Sequence, residues 1–213
     1  MLTSTQIANN KKTFIEILRS IKREGADIEG LIDKLENSDF FTAPASTIYH
    51  CSYEGGLCEH SLNVYYNLIN VIESKFPYEE ERSLDHIGNT SIEADTVKII
   101  GLLHDLSKMN FYETSTRNVK DEEGNWIKVP FIKVREAQNR FIYSDHGTNS
   151  EFMVGRFIPL KIEESVAIIH HMGWSDDHIN STRVSEVFDK YPLALFLHFA
   201  DTLATYIDEK VIK

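Results

Sequence analysis

Hydrophobic side chains recur at helical spacing along most of the chain. In the first segment Ile7, Phe14 and Ile21 belong to an apolar stripe between lysines and arginines, which is typical of an amphipathic helix. The same pattern predicts helices over about residues 5–24, 57–75, 90–108, 147–157, 163–171 and 192–207. Gly25 ends the first helix, and Asp27 caps a short second helix that follows it.

One segment departs from the helical pattern. Between residues 111 and 135, β-branched and aromatic side chains flank the turn-forming sequence Asp121-Glu-Glu-Gly-Asn125, which predicts a β-hairpin. We find no repeat and no linker. The expected fold class is therefore all-α, a single domain over residues 1–213. It has N-terminal helices in residues 1–39, a helical-bundle core in 40–208 and the hairpin as an insert.

Composition narrows the range of partners. The chain has 22 Lys and Arg against 33 Asp and Glu, for a formal net charge of -11. Long nucleic acids need clustered basic side chains, so none is expected as a partner. A small anionic ligand needs only a local positive centre, which a metal ion would supply. Two cysteines, Cys51 and Cys58, are too few for a disulfide framework and favour a reducing compartment. Without a signal-peptide pattern or a long apolar run, we expect no membrane span and a cytoplasmic location.

The first candidate for chemistry is the pair His104-Asp105. Thr90 and Glu93 have the spacing of a capping box, and the apolar helix that they introduce runs to Lys108. A carboxylate buried in such a helix is costly unless it is paired or bound to a metal. The alternative is a pair at a helix end that reaches solvent.

Other potential ligands lie near helix ends or on apolar faces. They are His60, His146, His171 and Asp201. One such histidine is usually a hydrogen-bonded core residue, but several on different helices indicate convergence on one site in the bundle core. Imidazole and carboxylate ligands suit iron, manganese, zinc or nickel without choosing among them. The sequence thus predicts a site for one or two divalent transition-metal ions.

At these residues the chain resembles the HD-domain metal-dependent phosphohydrolases. The family's signature of a histidine, a His-Asp pair and a distant aspartate reads here His60, His104-Asp105 and Asp201. The surrounding segments are similar too: residues 49–64 resemble the family's first helix, and His104-Asp-Leu-Ser-Lys108 resembles its His-Asp-x-x-Lys. The resemblance covers about residues 40–208 and implies an HD-domain helical bundle.

The resemblance also implies a set of metal ligands. A first ion would be held by His60, His104, Asp105 and Asp201, and dinuclear members add a second ion that shares Asp105 and binds His146 and His171. His170 is an awkward neighbour, because adjacent helical residues point about 100° apart. Spacing from Glu163-Glu164 favours His171. His170 would then support a ligand, face the substrate or be exposed.

Three further residues border the predicted site. Asp105 would bridge the ions or orient the water that they activate. Lys108, one turn beyond, is either a phosphate ligand or an ordinary lysine at a helix end. His50 either binds phosphate or donates a proton to the leaving group, or is a loop histidine without a role. His198 either supports a ligand from behind or packs in the core.

The expected activity is hydrolysis of a small phosphate ester, such as a nucleotide, by a phosphomonoesterase or phosphodiesterase. One alternative is a binding module that senses a nucleotide without turnover. Another is a 3'-5' exoribonuclease-like nuclease, although no separate nucleic-acid-binding domain is evident. We expect the hairpin to cover the pocket mouth, where Tyr112, Trp126 or Phe131 stacks on a base or simply packs. The sequence leaves the oligomeric state open.

Overall fold

The computed structural model describes residues 1–79, 85–175 and 181–209. The helices are α1 (Ser4–Arg19), α2 (Ile28–Glu36), α3 (Gly56–Lys75), α4 (Ala94–Leu103), α5 (His146–Gly155), α6 (Ile162–Ile169), α7 (Ser181–Lys190) and α8 (Pro192–Leu203), and the strands are β1 (Tyr112–Lys120) and β2 (Trp126–Val134). The predicted helical architecture with one antiparallel hairpin is confirmed. Among the helices described, none is both long and apolar enough to cross a bilayer.

The boundaries of the first two helices follow from local hydrogen bonds. Asp27 caps α2 as predicted, because its side chain accepts a hydrogen bond from Gly30 N at 2.9 Å. The first helix is shorter than predicted and ends at Arg19. The next hydroxyl, that of Ser20, donates to the carbonyl of Ile17 at 2.7 Å and so closes the last turn.

The fourth helix is shorter than predicted at both ends. Thr90 does not cap it, because the Thr90 hydroxyl donates to the carbonyl of Ile87 and stabilises the preceding turn. The helix therefore starts at Ala94. At the other end it stops at Leu103, and one 3₁₀ turn, Leu106–Lys108, follows it.

The C-terminal part differs from the hydrophobic pattern in two places. The helix α7 was not predicted, because Val184 and Phe188 are the buried residues of an otherwise polar segment. Pro192 occupies the first turn of α8 as predicted. Beyond α8 the chain continues as a π-helical turn, Ala204–Asp208.

The core lies between α3, α4, α6 and α8. As predicted, α4 is buried almost all round, with Val97, Ile99, Ile100, Leu102 and Leu103 fully buried. Two glycines allow close approach of neighbouring helices. A Cβ on Gly101 would lie 2.9 Å from the Cα of Tyr65 in α3, and one on Gly147 in α5 would lie 2.2 Å from the carbonyl oxygen of Ile169.

The hairpin extends from the end of the 3₁₀ turn. Its register runs from Tyr112 opposite Val134 at the base to Lys120 opposite Trp126 at the turn. The eight steps between the nine residues of each strand span roughly 27 Å, so Trp126 lies far from the base. Most of the hairpin is exposed, and Arg135 ties its base to the loop after α2 by bonding Asp39 at 2.9 Å.

Candidate metal centre

Five elements bring the predicted ligands together. The first turn of α3 supplies His60, the end of α4 supplies His104 and Asp105, α5 begins with His146, His171 follows α6, and α8 supplies Asp201. His60, His104, Asp105 and His171 are at most 2% exposed. The alternative of a solvent-facing His-Asp pair is therefore wrong.

Asp105 lies between two groups of ligand atoms. Its Oδ2 is 3.4 Å from His60 Nε2 and 3.6 Å from His104 Nε2. Its Oδ1 contacts His146 Nε2 and is 3.6 Å from His171 Nε2. In each group, which comprises Asp105 and two histidines, the ligand atoms lie within 4.8 Å of one another. One carboxylate thus presents one oxygen to each pair of imidazoles.

Asp201 extends the first of these groups. Its Oδ1 lies 3.3 Å from His60 Nε2, and the Thr205 hydroxyl donates to the same oxygen at 3.4 Å. His104 Nε2 is also 3.4 Å from His60 Nε2. Potential ligand atoms from α3, the end of α4 and α8 therefore face a single point beside Asp105.

Each of the four histidines has its second ring nitrogen held by an acceptor. The Nδ1 atoms of His104 and His171 bond the carbonyls three residues earlier, at 3.0 and 2.7 Å, where a helix end leaves carbonyls without helical partners. His146 Nδ1 lies 2.8 Å from the Ser107 hydroxyl. That hydroxyl donates its proton to the His146 carbonyl and is therefore the acceptor from the ring.

The fourth histidine is held by a residue that the sequence analysis missed. His60 Nδ1 lies 3.0 Å from Glu209 Oε1, and Asn63 donates to the same carboxylate oxygen. Glu209 reaches His60 from the end of the π-helical turn. No spacing pattern in the sequence predicts that these two residues meet. With an acceptor beside each Nδ1 atom, the four Nε2 atoms face the cluster, which is the usual arrangement of metal-binding histidines.

Electrostatics keeps the central carboxylate ionised. Burial alone raises the pKa of Asp105, but the positive charge of Lys108 and the neighbouring His146 and His104 outweigh it and hold the pKa well below its usual range. Burial lowers the pKa of His104 to about 3, so this imidazole is neutral at neutral pH. Burial also lowers the pKa of His60 and His171, but their contacts with Asp105 outweigh it and raise both pKa values. A transition metal takes the place of such protons, because it binds the ionised carboxylate and the neutral imidazole.

His171 provides a test of whether a metal fits. Its Nε2 is buried and has no hydrogen-bond partner among the described residues, although buried polar atoms are rarely left without one. The orphan atom faces Asp105 Oδ1 and lies in the same group as His146. A divalent ion would satisfy this atom, so the residues present fit a metal.

The end of α6 places His170 and His171 in different surroundings. The helix stops at Ile169, earlier than the predicted residue 171, and His170 is its partly exposed C-cap residue. His171 turns inward behind it. His198 donates to the main-chain carbonyl of His171 at 2.8 Å and stacks on Phe188, so it both supports the ligand loop and packs.

Lys108 and His50 border the cluster. Lys108 Nζ lies 2.6 Å from Asp105 Oδ2, from the next position on the same face of the turn. The His50 ring packs against the His60 ring with centroids 4.7 Å apart. Its nitrogens have no hydrogen-bond partner in the part of the chain described. Burial, helped by His60 and Lys108, lowers the pKa of His50 to about 4, so at neutral pH it is a neutral imidazole.

A cleft of about 320 Å³ lies between the loop after α2 and the base of the hairpin. Its lining includes Asp39, Tyr53, Glu54, Tyr112 and Glu113, and none of the predicted metal ligands. Tyr112 is close enough to the cluster for the charges of Lys108 and Asp105 to act on the pKa of its hydroxyl. Of the three predicted aromatic residues, Tyr112 alone lines this cleft, and Trp126 is at the far end of the hairpin.

Comparison with known proteins adds no family. No family model, no curated protein and no solved structure matches the chain. What the chain shows by itself is a helical fold whose buried cluster of His60, His104, Asp105, His146 and His171 can hold a metal ion.

Proposed function

We propose that this chain is an HD-domain metal-dependent phosphohydrolase that acts on a small phosphate ester, of which a nucleotide is the leading candidate. The observation that supports this most is the central position of Asp105, with one oxygen toward His60 and His104 and the other toward His146 and His171. Such sharing of one carboxylate suits a pair of divalent ions that act on one phosphoryl group.

The ligands divide into two sets in this proposal. His60, His104, Asp105 and Asp201 would hold one ion, and Asp105, His146 and His171 would hold the second. The donor set suits iron, manganese, nickel or zinc. When bound, such an ion supplies Lewis acidity, which activates water and withdraws negative charge from phosphoryl oxygens.

Residues around the cluster bind the phosphate and orient the leaving group of the substrate. Lys108 is buried except for about 15% of its side chain, and its ammonium attracts a phosphate anion to the edge of the cluster. Neutral His50 has an unused ring N–H that can donate to a phosphoryl or leaving-group oxygen. Tyr112, which lines the cleft and interacts electrostatically with Lys108, orients the group that leaves.

The cleft favours a small substrate. Its volume of about 320 Å³ is at the small end of ligand pockets. The net charge of -11 of the whole chain repels a polyanion. We therefore expect hydrolysis of mononucleotides or similar esters, and weak or no cleavage of RNA and single-stranded DNA.

The experiment combines metal analysis of the purified protein with a screen of phosphorylated metabolites. Asp105→Asn should lose metal and activity together, by more than the about 10–100-fold that loss of an outer partner costs. Glu113→Gln, which removes an acidic side chain on the hairpin, is the matched control and should retain its metal.

Nuclearity is tested by the same measurement. His146→Ala and His171→Ala should each lower the metal content from two ions per chain toward one, and His170→Ala should not. One ion per chain in all of these proteins would mean a mononuclear site. Full activity in Asp105→Asn refutes the proposal. Nucleotide binding without turnover would make the chain a sensing module, and processive degradation of oligonucleotides would make it a nuclease.

A further inference from the structure

We infer that a second pocket, separate from the metal cluster, binds a small ligand that carries an aromatic ring and an anionic group. The pocket has a volume of about 660 Å³, within the range of about 300–1,000 Å³ that is usual for small-molecule sites. Leu106, Met109 and Met153 line its apolar part, and Phe141 and Phe152 stand at its side.

The charged residues of this pocket are all positive. Lys34 comes from α2, Arg140 from the segment after the hairpin, and Arg156 from the end of α5, and no acidic side chain lines the pocket. Within the described ranges, none of these three side chains forms an ion pair with a carboxylate. A purely cationic pocket in a chain of net charge -11 is complementary to an anion.

Arg140 is already held in a conformation that suits anion binding. Its guanidinium carbon lies 4.7 Å from the centroid of the Phe111 ring, which fixes the plane of the group. Its Nε is buried without a hydrogen-bond partner among the described residues. Because buried donors are rarely left unsatisfied, an anionic oxygen of a ligand is the partner that this edge of the guanidinium lacks.

The aromatic part of the ligand has a stacking surface. The rings of Phe141 and Phe152 are nearly parallel, with centroids 5.8 Å apart and planes 14° apart, and Tyr143 stacks on Phe152 as well. Phe141 and Phe152 nevertheless remain 39% and 38% exposed. A ring that continues this row would cover apolar surface that the chain leaves in water.

The geometry of the 3₁₀ turn separates the two sites. In a 3₁₀ helix, side chains three residues apart lie on the same face. Asp105 and Lys108 therefore share one face, which points to the metal cluster, whereas Leu106 and Met109 share another, which lines the second pocket. Neither pair contributes to the other site, so this inference does not depend on the proposed hydrolysis.

Fluorescence of anilinonaphthalene sulfonate tests the inference on the full, metal-loaded chain. This probe has a ring system and an anion but no phosphate ester. We expect saturable binding with one site per chain, and a loss of affinity of about tenfold or more in the double variant Arg140→Ala/Arg156→Ala. Arg117→Ala is the matched control, because Arg117 also lies over an aromatic ring, that of Phe131, but on the hairpin.

Competition separates the two halves of the ligand. Phenylphosphonate, which has both a ring and a charge, should displace the probe. Methylphosphonate, which lacks the ring, and benzamide, which lacks the charge, should displace it at least about tenfold less well. Circular dichroism checks that each variant is folded.

Three results would overturn the inference. The first is unchanged probe binding in the double variant. The second is displacement by benzamide as effective as that by phenylphosphonate, which would make the pocket a purely apolar one. The third is a dimer in light scattering that Phe152→Ser dissociates, because a second copy of the chain would then be the occupant.

Discussion

Two buried carboxylates in this protein, Glu164 and Asp105, differ in the partners that surround them. Glu164, fully buried in α6, receives both guanidinium nitrogens of Arg23 at 2.9 and 2.7 Å, the Thr96 hydroxyl at 2.6 Å and the main-chain N–H of Lys161 at 2.8 Å. Asp105, 2% exposed, accepts a hydrogen bond from Lys108 and otherwise faces the Nε2 atoms of four imidazoles, those of His60, His104, His146 and His171.

The difference distinguishes a structural carboxylate from one built to bind. Both oxygens of Glu164 are satisfied by donors of the chain, and the charge of Arg23 neutralises it. Around Asp105, four imidazoles turn their Nε2 atoms inward because their Nδ1 atoms are already bonded elsewhere. Ring nitrogens that converge on a carboxylate form a donor set for a cation, and this arrangement defines the candidate metal centre.

The largest effect that this comparison predicts is on stability. Glu164→Gln removes the closest counter-charge of the mostly buried Arg23 and leaves it only Glu93, 3.9 Å away. The free energy of unfolding should therefore fall by up to about 3–5 kcal/mol, as measured by urea denaturation. Glu29→Gln is the matched control, because Glu29 makes the same two-bond contact with Arg19 at the surface. A loss in Glu29→Gln as large as that in Glu164→Gln would contradict a special role for the buried pair.

Removal of metal should lower stability through the site around Asp105 and not through the buried pair of Glu164 and Arg23. A metal at 100 times its dissociation constant stabilises the folded chain by about 2.7 kcal/mol, so a chelator should lower the melting temperature of the wild type. The chelator should lower the melting temperature of Glu164→Gln by the same amount and should leave that of Asp105→Asn unchanged. An equal decrease in all three proteins would show that the chelator acts somewhere other than the cluster.

Glu209 should affect the metal affinity of the cluster through its hydrogen bond to His60. Because its carboxylate holds His60 Nδ1, Glu209→Ala should weaken metal affinity by about 10–100-fold in a competition titration with a chromogenic chelator. Glu209→Gln keeps an oxygen acceptor for the same N–H and should recover most of the affinity. Glu54→Ala, which removes a cleft-lining carboxylate instead, should leave metal affinity unchanged.

The smallest effect is on the pH dependence of stability. Burial raises the pKa of Glu164, but its bonds to Arg23, Thr96 and Lys161 N outweigh it and leave the pKa below the usual 4.5. Its contribution is therefore complete above pH 4.5 and is lost as the pH falls through the lower, folded-state pKa. Over that range Glu164 adds up to about 1.4 kcal/mol per pH unit to the slope of unfolding free energy.

Denaturant titrations at several acidic pH values measure that slope. The wild type should lose stability more steeply below pH 4.5 than Glu164→Gln, which has no titrating group at this position. Parallel curves for the two proteins would mean that the Glu164 pKa does not change on folding.

Much of the architecture could be read from the chain because hydrophobic spacing is local. The apolar run before His104 predicted a buried central helix, and the turn sequence at 121–125 predicted the hairpin with its flanking strands. The candidate ligands were chosen for their residue types and for their positions near helix ends. Histidines and aspartates at such positions on several helices predict one shared site in the core of the bundle.

The tertiary structure decided what spacing does not encode. Sequence reasoning extended α6 to His171, whereas the helix stops at Ile169, and a bond from His171 Nδ1 to the preceding turn aims the ring at Asp105. Glu209 and Arg23 lie 149 and 141 residues from the partners that they hold. Contacts over such distances depend on how the helices pack, so residue types alone determined the candidate ligands, and packing determined which atoms of those residues meet.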